Sequence, residues 1–385
     1  MQPACDYSHC GAAAVAIWRQ VVRRKTSHSR ALSQDKSLLT MASTDTSPSM
    51  TLMSLPDDLL QRLLVGVPLD DHRAAASVCR AFRDVINGPR FLALRRRYGF
   101  AEYGIVFVKE AGHPERGLRI GMAHTPDGMV TLVRITAGDP YSGDSTTDGG
   151  TRMFVSTERD DNLNQILAVD AASRRWKYLA SLPLHQNGHC LEWHGGLLYV
   201  AGGWGAGIGD GQHECLHTLQ VFDERAALWD ELPPMPHACT LASSGVIGDQ
   251  LFVAGGYNTS EDYLTTLQIY DIVTRVWRLG ASMPRPVAGF PAPGIVYDAK
   301  LFVTYFQSML VYDPQVDTWT EERIPWVHAV AEHAYTHNGR IVVVATNGTA
   351  FQRASDGSWS PYEKTRESHW TGDVSTRRSE SVLLG

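Results

Sequence analysis

The sequence predicts a small all-α segment followed by an all-β propeller. The first observation is a spacing, since an aspartate precedes a tryptophan by six residues four times. The pairs are Asp170/Trp176, Asp223/Trp229, Asp271/Trp277 and Asp313/Trp319. An apolar run precedes each aspartate and a proline follows each tryptophan, so one unit recurs every 42 to 53 residues. Self-similarity at this period is typical of propellers, solenoids and arrays.

The second observation is that each unit reads as four short strands. The segments are β-branched or aromatic and are bounded by Gly, Pro, Asp or Asn, which favours strands over helices. In one unit, strands run around Leu191 to Trp193 and over Leu197 to Gly203, a third ends at Asp223, and a fourth carries Trp229. Four strands per repeat predict a propeller blade.

Counting strands predicts six blades, with a five-bladed ring as the alternative. Five units carry a tryptophan on their fourth strand: Trp176, Trp229, Trp277, Trp319 and Trp359. Ahead of them, Ile105 to Val108, Leu118 to Met122 and Met129 to Ile135 read as three strands of another blade. We expect a C-terminal segment such as Ser381 to Leu384 to supply its missing strand, so that the two ends of the propeller close the ring together.

The third observation is helical periodicity between Leu55 and about Tyr98. Leu59, Leu63, Leu64 and Val67 recur at helical spacing, as do apolar residues between positions 74 and 86. Some forty residues of short helix bury too little apolar surface to be very stable alone. Part of that surface should therefore be covered by a partner or by the following domain.

Paired glycines give the propeller a family resemblance. Gly202/Gly203 and Gly255/Gly256 end the second strand of two successive units, and an acidic residue and a tryptophan follow at fixed spacing. These residues resemble the kelch repeat. The two copies with paired glycines match the repeat strongly. In the last copy Arg353 replaces the aspartate before Trp359, so this copy is identified mainly by the spacing of its strands and its tryptophan.

The helical segment resembles an F-box, from Leu55-Pro56 through Val67 to Asp71 and on to Val78 to Arg83. Phe91 to Gly99 is similar to the connector of plant F-box/kelch-repeat proteins. We therefore expect four parts: a disordered or mis-annotated extension over 1–50, the F-box and connector over 51–100, the propeller over 101–375, and a tail over 376–385 that can close the ring. Organelle targeting by the first fifty residues is the less favoured reading.

By that resemblance the chain is a non-catalytic receptor subunit of an SCF-type ubiquitin ligase, without a cofactor. The F-box would dock on a Skp-type adaptor, which links it to a cullin scaffold and a ubiquitin-conjugating enzyme, and the propeller would hold a protein target of unknown identity. The residues expected to contact the adaptor are Leu55, Pro56, Leu59, Leu63, Val67, Val78, Cys79 and Phe82. Core packing is an equally expected role for any one of them, because helical apolar stripes serve both.

Loop lengths predict where a target binds. Loops between strands two and three open on the same face as the connections between blades, and they are long only before Leu219 and before Leu267. Insertions on one face of a repeat protein often mark its binding surface. The expected target-binding residues are Trp204, Tyr257 and Tyr263 on these loops, with His185, His189, His237 and Arg285 on neighbouring connections.

Composition and charge narrow the classes of function that are expected of the chain. A net charge of -6 and a pI near 6.2 give no global basis for nucleic-acid binding, and Arg95-Arg96-Arg97 is expected to be a solvated run. Six cysteines without a Cys-x-x-Cys pair predict free thiols in the cytoplasm or nucleus, and no membrane span or metal site is expected. A stand-alone propeller, acting as a scaffold or an enzyme, is the competing function, and adaptor binding separates the two.

Overall fold

The computed structural model describes residues 57–67, 72–88, 90–98, 103–110, 118–124, 128–135, 144–158, 164–170, 175–206, 213–287, 294–325, 331–337, 339–345, 347, 349–362 and 376–383. The chain divides into two compact units, with the boundary between Glu102 and Tyr103. None of the described helices is long and apolar enough to span a membrane.

The described part of the first unit consists of four short helices. They are α1 (Asp57–Val65), α2 (His72–Val78), α3 (Arg80–Ile86) and α4 (Phe91–Arg97). Cys79 separates α2 from α3 with an extended backbone, and its Sγ accepts a hydrogen bond from the Phe82 amide at 3.5 Å, which caps α3. The buried core of this unit consists of Leu60, Leu64, Val65, Val67, Ala75, Phe82 and Phe91.

Arg95 corrects the prediction that the arginine run is solvated. Its side chain is only 1% exposed, and Nη1 donates to the carbonyl oxygens of Val65, at 2.8 Å, and Val67. The last carbonyls of a helix have no partner within the helix. Arg95 satisfies the last carbonyl of α1, at Val65, and the carbonyl of Val67 two residues beyond the helix, and its guanidinium lies 6.0 Å from the centre of the Phe91 ring. A charged residue thus joins α1 and α4.

The second unit is built from antiparallel strands, numbered β1 to β27 in chain order. The first sheet contains β1 (Tyr103–Glu110), β2 (Leu118–His124), β3 (Gly128–Ile135) and β27 (Thr376–Leu383). The second contains β4 (Ser145–Thr147), β5 (Arg152–Glu158), β6 (Asn164–Asp170) and β7 (Arg175–Ser181). The third contains β9 (Cys190–His194), β10 (Leu197–Ala201), β13 (Leu219–Asp223) and β14 (Leu228–Leu232).

Three further four-stranded sheets follow. The fourth contains β15 (Ser243–Ile247), β16 (Gln250–Ala254), β17 (Leu267–Asp271) and β18 (Val276–Leu279). The fifth contains β19 (Ile295–Tyr297), β20 (Lys300–Tyr305), β21 (Ser308–Asp313) and β22 (Thr318–Arg323). The sixth contains β23 (Ala331–His337), β24 (Arg340–Ala345), β25 (Ala350–Arg353) and β26 (Trp359–Pro361). A small seventh sheet is formed by β8 (Gln186–Asn187), β11 (Trp204–Ala206) and β12 (His213–Cys215).

The six four-stranded sheets form a closed ring of blades, as the strand count predicted. The first strand of each blade contacts the first strands of both neighbours, in the circular order β27, β4, β9, β15, β19, β23. Strand β27 pairs antiparallel with β1, so the C-terminal strand completes the blade that β1, β2 and β3 begin. This strand begins at Thr376, five residues before the segment proposed from the sequence.

Turn geometry explains the spacing between aspartate and tryptophan. Asp223 Oδ1 accepts hydrogen bonds from the amides of Arg225, at 2.7 Å, and Ala226, at 3.1 Å. Ala227 then takes a positive φ of 53°, and the turn places Trp229 opposite Phe222 in the β13–β14 register. Asp271 makes the same turn, because it accepts from the second and third following amides and is followed by a positive φ at the fourth residue. The aspartate is therefore a turn former, and the spacing fixes strand register.

Trp229, Trp277 and Trp319 are half-buried, and the first two of them pack between adjacent blades. Trp229 packs against the apolar cluster between the second and third blades, and Trp277 against the cluster between the third and fourth. The Trp277 indole donates to the carbonyl oxygen of Pro233 at 2.7 Å, and Trp319 donates to Ala281 at 2.8 Å. Trp229 and Trp277 thus occupy equivalent positions between blades. The Trp277 and Trp319 indoles also link their blades to the preceding connection, whereas Trp229 Nε1 has no hydrogen-bond partner among the described residues.

We expect Trp277→Ala to lower the free energy of unfolding by about 2 kcal/mol, less than the roughly 3 to 5 kcal/mol of a fully buried tryptophan. Trp277→Phe keeps most of the ring contact and loses the indole hydrogen bond, so it should cost about 1 kcal/mol. Urea unfolding of the full chain measures both. Trp176 is 48% exposed on the outer strand β7, so Trp176→Ala is the matched control. An equal loss in the control would contradict the role of Trp277 between blades.

Candidate protein-binding surfaces

The expected adaptor-binding residues divide into core and surface positions. Val67 and Phe82 are each 6% exposed and belong to the core of the helical unit, so the structure gives both of them the core-packing role that was the equally expected alternative to adaptor contact. Phe82 is the buried residue of α3, a helix that begins after the extended residue Cys79 and so does not continue the periodic stripe of α2. Leu55, Pro56 and the side chain of Leu59 lie outside the described residues.

Leu63 is the strongest surface candidate of this set. It lies on α1 and is half-buried, yet it is outside the apolar cluster that forms the core of the unit. Val78 and Cys79 are also half-buried, but both pack against that cluster, and the Cys79 thiol caps α3. The exposed apolar surface of Leu63 therefore has no assigned role within its own unit.

A groove on the helical unit was not anticipated from the sequence. It has a volume of about 460 Å³, and its floor contains the buried residues Leu60 and Phe91. Its lining residues come from α1, α3 and α4 and from the turn between α3 and α4. They are Leu60, Gln61, Ala81, Asp84, Val85, Gly88, Arg90, Phe91 and Leu94. Because three helices contribute, no single periodic stripe indicates the groove.

The first inserted loop of the propeller folds as a hairpin. Its strands β11 and β12 pair with each other, and β11 also pairs with β8, on the connection between the second and third blades. Trp204 begins β11 and is half-buried, opposite Cys215 on β12 and Asn187 on β8. The prediction placed Trp204 in a loop, whereas the structure gives it a structural role in this small sheet.

The two inserted loops contact each other. The amide of Cys215 donates to Thr259 Oγ1 at 3.0 Å, and the thiol of Cys215 donates to the carbonyl oxygen of Tyr257 at 3.3 Å. The Tyr257 and Tyr263 rings lie 6.4 Å apart in an edge-to-face arrangement, and Tyr263 is 66% exposed. Burial raises the pKa of the Tyr257 phenol, which therefore stays protonated at neutral pH. The loops thus form one continuous surface with Tyr263 as its most exposed aromatic side chain.

The four remaining target-binding candidates occupy different environments. His189 is 3% exposed, and its Nδ1 lies 3.0 Å from the carbonyl oxygen of Gln186, so the prediction that it faces a target is wrong. His189 lies on the short connection between β8 and β9, which belong to different sheets. His185 is half-buried, and its ring lies 6.2 Å from the His213 ring. His237 is exposed, and its backbone makes two hydrogen bonds with the Gln268 side chain. The His237 amide donates to Gln268 Oε1 at 2.8 Å, and Gln268 Nε2 donates to the His237 carbonyl oxygen at 3.1 Å.

Arg285 is the most exposed charged residue among these candidates. Its Nε donates to Glu321 Oε2 at 3.1 Å, and its guanidinium lies 5.9 Å from the centre of the Tyr305 ring. Ser308 Oγ also donates to Glu321, at 2.7 Å. These two hydrogen bonds, with that from Ser308 the larger effect, lower the pKa of the Glu321 carboxyl, which stays ionised at neutral pH.

The described residues contain no group of three His, Cys, Asp or Glu side chains that could hold a metal ion. His194 instead lies 3.0 Å from Asp249, in the turn that joins β15 to β16. The four described cysteines, Cys79, Cys190, Cys215 and Cys239, are all free thiols, and burial raises the pKa of Cys239 to about 12. A thiol with so high a pKa is protonated at neutral pH and is a poor nucleophile.

Comparisons with known proteins identify both modules. The F-box domain model matches residues 52–94, and the Kelch motif model matches residues 187–236 and 238–284. These two kelch matches are the copies with paired glycines. No comparison bears on the plant-type resemblance of the connector, which stays a prediction.

Curated relatives and a solved structure agree with the β-propeller. The chain is 27% identical over 197 residues to Kelch-like protein 40 of Mus musculus, covering 49% of this chain and 31% of that protein. It is 26% identical over 142 residues to Kelch-like protein 34 of Homo sapiens, covering 34% of this chain and 22% of that protein. The chain thus spans less than a third of the length of these relatives. The structure of YjhT superposes with a TM-score of 0.50 at 14% identity, covering 67% of this chain and 98% of that one, which shows the fold alone.

Proposed function

The chain is an F-box/kelch protein, and from that premise we propose that it is the target-recognition subunit of an SCF-type ubiquitin ligase. The F-box would bind a Skp-type adaptor, which connects it to a cullin scaffold. The propeller would bind a target protein, and a ubiquitin-conjugating enzyme brought by the complex would supply the chemistry. The observation that carries the proposal is the presence of both modules in one chain.

Two features of the described residues support these separate roles. The helical unit carries Leu63 on its surface, outside its own core, where a partner helix can cover it. The propeller has two inserted loops that contact each other and expose Tyr263. Aromatic side chains at exposed loop tips are frequent energetic centres of protein interfaces. We place the complex in the cytoplasm or nucleus, where thiols remain reduced.

We expect Leu63→Asp to weaken binding of the purified full chain to a Skp-type adaptor by about 100-fold or more, because a carboxylate would be desolvated in an apolar interface. Isothermal titration calorimetry with the purified adaptor measures the dissociation constant. Ala93→Asp is the matched control, since Ala93 is exposed on α4 and the change adds the same charge to the same unit.

Two results would contradict the proposal. If the wild-type chain does not bind the adaptor at micromolar concentrations, the stand-alone propeller becomes the better reading. If Leu63→Asp and Ala93→Asp weaken binding equally, Leu63 is not at the interface. Affinity purification with and without proteasome inhibition then identifies the target as a protein that accumulates on the bait under inhibition.

A further inference from the structure

Phe306 occupies a backbone conformation that disfavours it. It is the first of two residues in the tight turn between β20 and β21, with a φ of 47°. Two-residue hairpin turns favour glycine where φ is positive, and a bulky residue there is an outlier. The side chain nevertheless is 61% exposed, so burial in the core does not offset this strain. Strained residues of this kind are concentrated at functional sites.

A pocket lies directly beside this turn. It has a volume of about 620 Å³, and the Tyr305 and Phe306 rings, which are 4.9 Å apart and perpendicular, form its apolar side. Its polar side comes from the connection into the fifth blade and from the outer strand β22. The complete lining is Arg285, Tyr305, Phe306, Gln307, Ser308, Glu321 and Arg323.

The pocket carries a net positive charge. Among the described residues that line it, Glu321 is the only carboxylate, and it accepts hydrogen bonds from Arg285 at 3.1 Å and Ser308 at 2.7 Å. Arg323 is exposed on β22 and makes no ion pair with any of the residues that the structure describes. Arginine presents a planar fork of donors that matches a carboxylate. The pocket therefore offers one arginine for an added carboxylate, next to two aromatic rings.

Topology places the pocket on the face of the inserted loops. The turn at Phe306 joins strands two and three of the fifth blade, as the hairpin at Trp204 and the loop at Tyr257 do in the third and fourth blades. The carbonyl oxygen of Phe306 accepts a hydrogen bond from the amide of Ala331 at 3.0 Å, which fixes the turn against the sixth blade. A chain lying across this face can thus reach both the inserted loops and the pocket.

We propose that this pocket binds a segment of the target protein in which an Asp or Glu side chain neighbours an apolar side chain. The carboxylate would pair with Arg323, and the apolar side chain would pack on Tyr305 and Phe306. The proposal rests on the proposed function, because it specifies the kind of segment that the receptor selects. The proposal assigns binding roles to Tyr305, Phe306 and Arg323. Loop length did not indicate these residues, because their turn carries no insertion.

The test is a selection of displayed random 12-residue peptides on the immobilised full chain. We expect selected peptides to be enriched in Asp or Glu next to an apolar residue, relative to the starting library. A fluorescein-labelled synthetic copy of the most enriched peptide is then titrated by fluorescence polarisation. Phe306→Gly and Arg323→Ala should each weaken its binding by about ten-fold or more, as should replacing the peptide's Asp or Glu with the amide.

The controls separate recognition from folding. Val316→Ser and Arg340→Ala change an exposed apolar residue and an exposed arginine on turns that open on the opposite face, and they should leave peptide binding unchanged. Phe306→Gly should leave the thermal midpoint unchanged or higher, because glycine accepts the positive φ. Peptides without acidic enrichment, or equal binding by the pocket variants and the wild type, would overturn the pocket. If the same preparation binds the adaptor, only the pocket assignment fails; if adaptor binding is also absent, the proposed function fails.

Discussion

Replacing Gly255 by alanine should lower the free energy of unfolding of the propeller by about 3 kcal/mol or more, from positive-φ strain and overpacking together. Gly255 has a φ of 69°, and a Cβ atom there would overlap the carbonyl oxygen of Val287 and crowd the end of the Met283 side chain. Val287 lies on the connection into the fifth blade, whose backbone accepts a hydrogen bond from Gly256 at 2.7 Å. Relief of the overlap would therefore move one blade against the next.

Gly195→Ala is the control for this substitution. Gly195 also has a positive φ, of 59°, but no atom of any residue beyond its two chain neighbours lies within 4 Å of the position its Cβ would take. This variant should show only the backbone penalty of about 1 kcal/mol. Urea unfolding compares the two, and equal losses would show that close approach of the blades is not what requires glycine at position 255.

The second large effect is expected for Arg95→Met, which keeps much of the side-chain volume and removes the donors. The carbonyl oxygens of Val65 and Val67 would both lose their charged partner in a buried site. The Val67 oxygen also lies 3.0 Å from His72 Nε2, so the cost of about 1 to 3 kcal/mol for an unsatisfied group is expected at Val65. A unit of this size holds only about 3 to 5 kcal/mol in its core. We therefore expect the helical unit to unfold and adaptor binding to be lost.

Arg97→Met is the matched control, because Arg97 is exposed at the end of the same helix α4. Hydrogen exchange of the amides over residues 57–98 reports unfolding of this unit while the propeller serves as an internal reference. Adaptor binding by Arg95→Met with wild-type affinity would contradict the assigned role.

The propeller could be predicted from sequence because its signals are local. The Asp-to-Trp spacing reflects a turn formed within seven residues, and the paired glycines mark one strand end. The sixth blade was hard to recognise for a physical reason. Arg353 stands where the second to fifth blades have aspartate, and it forms two hydrogen bonds of 2.7 Å with Glu322 of the fifth blade. At this position, a residue that binds the neighbouring blade stands in place of the aspartate that forms the turn.

The candidate sites were less predictable because burial depends on distant partners. Val67 and Phe82 share the apolar pattern of Leu63, yet they are buried and Leu63 is not, owing to how the four helices pack. From sequence Arg95 is predicted to be a surface charge, because the sequence does not show that the carbonyl end of α1 lies beside it. Phe306 was overlooked because its turn is short, and loop length was the signal used; its positive φ is visible only in the structure.

Strand β27 constrains the order in which the propeller can mature during translation. It is the innermost strand of the first blade and contacts the first strands of two neighbours, although it follows all the other described strands in sequence. Until residue 383 has left the ribosome, the inner edge of β1 has no strand to pair with, and unpaired edges promote association with other chains. Contacts between residues so far apart in sequence also form slowly. Nascent and prematurely terminated chains would therefore carry an open ring, which quality-control chaperones and proteases can distinguish from the finished receptor.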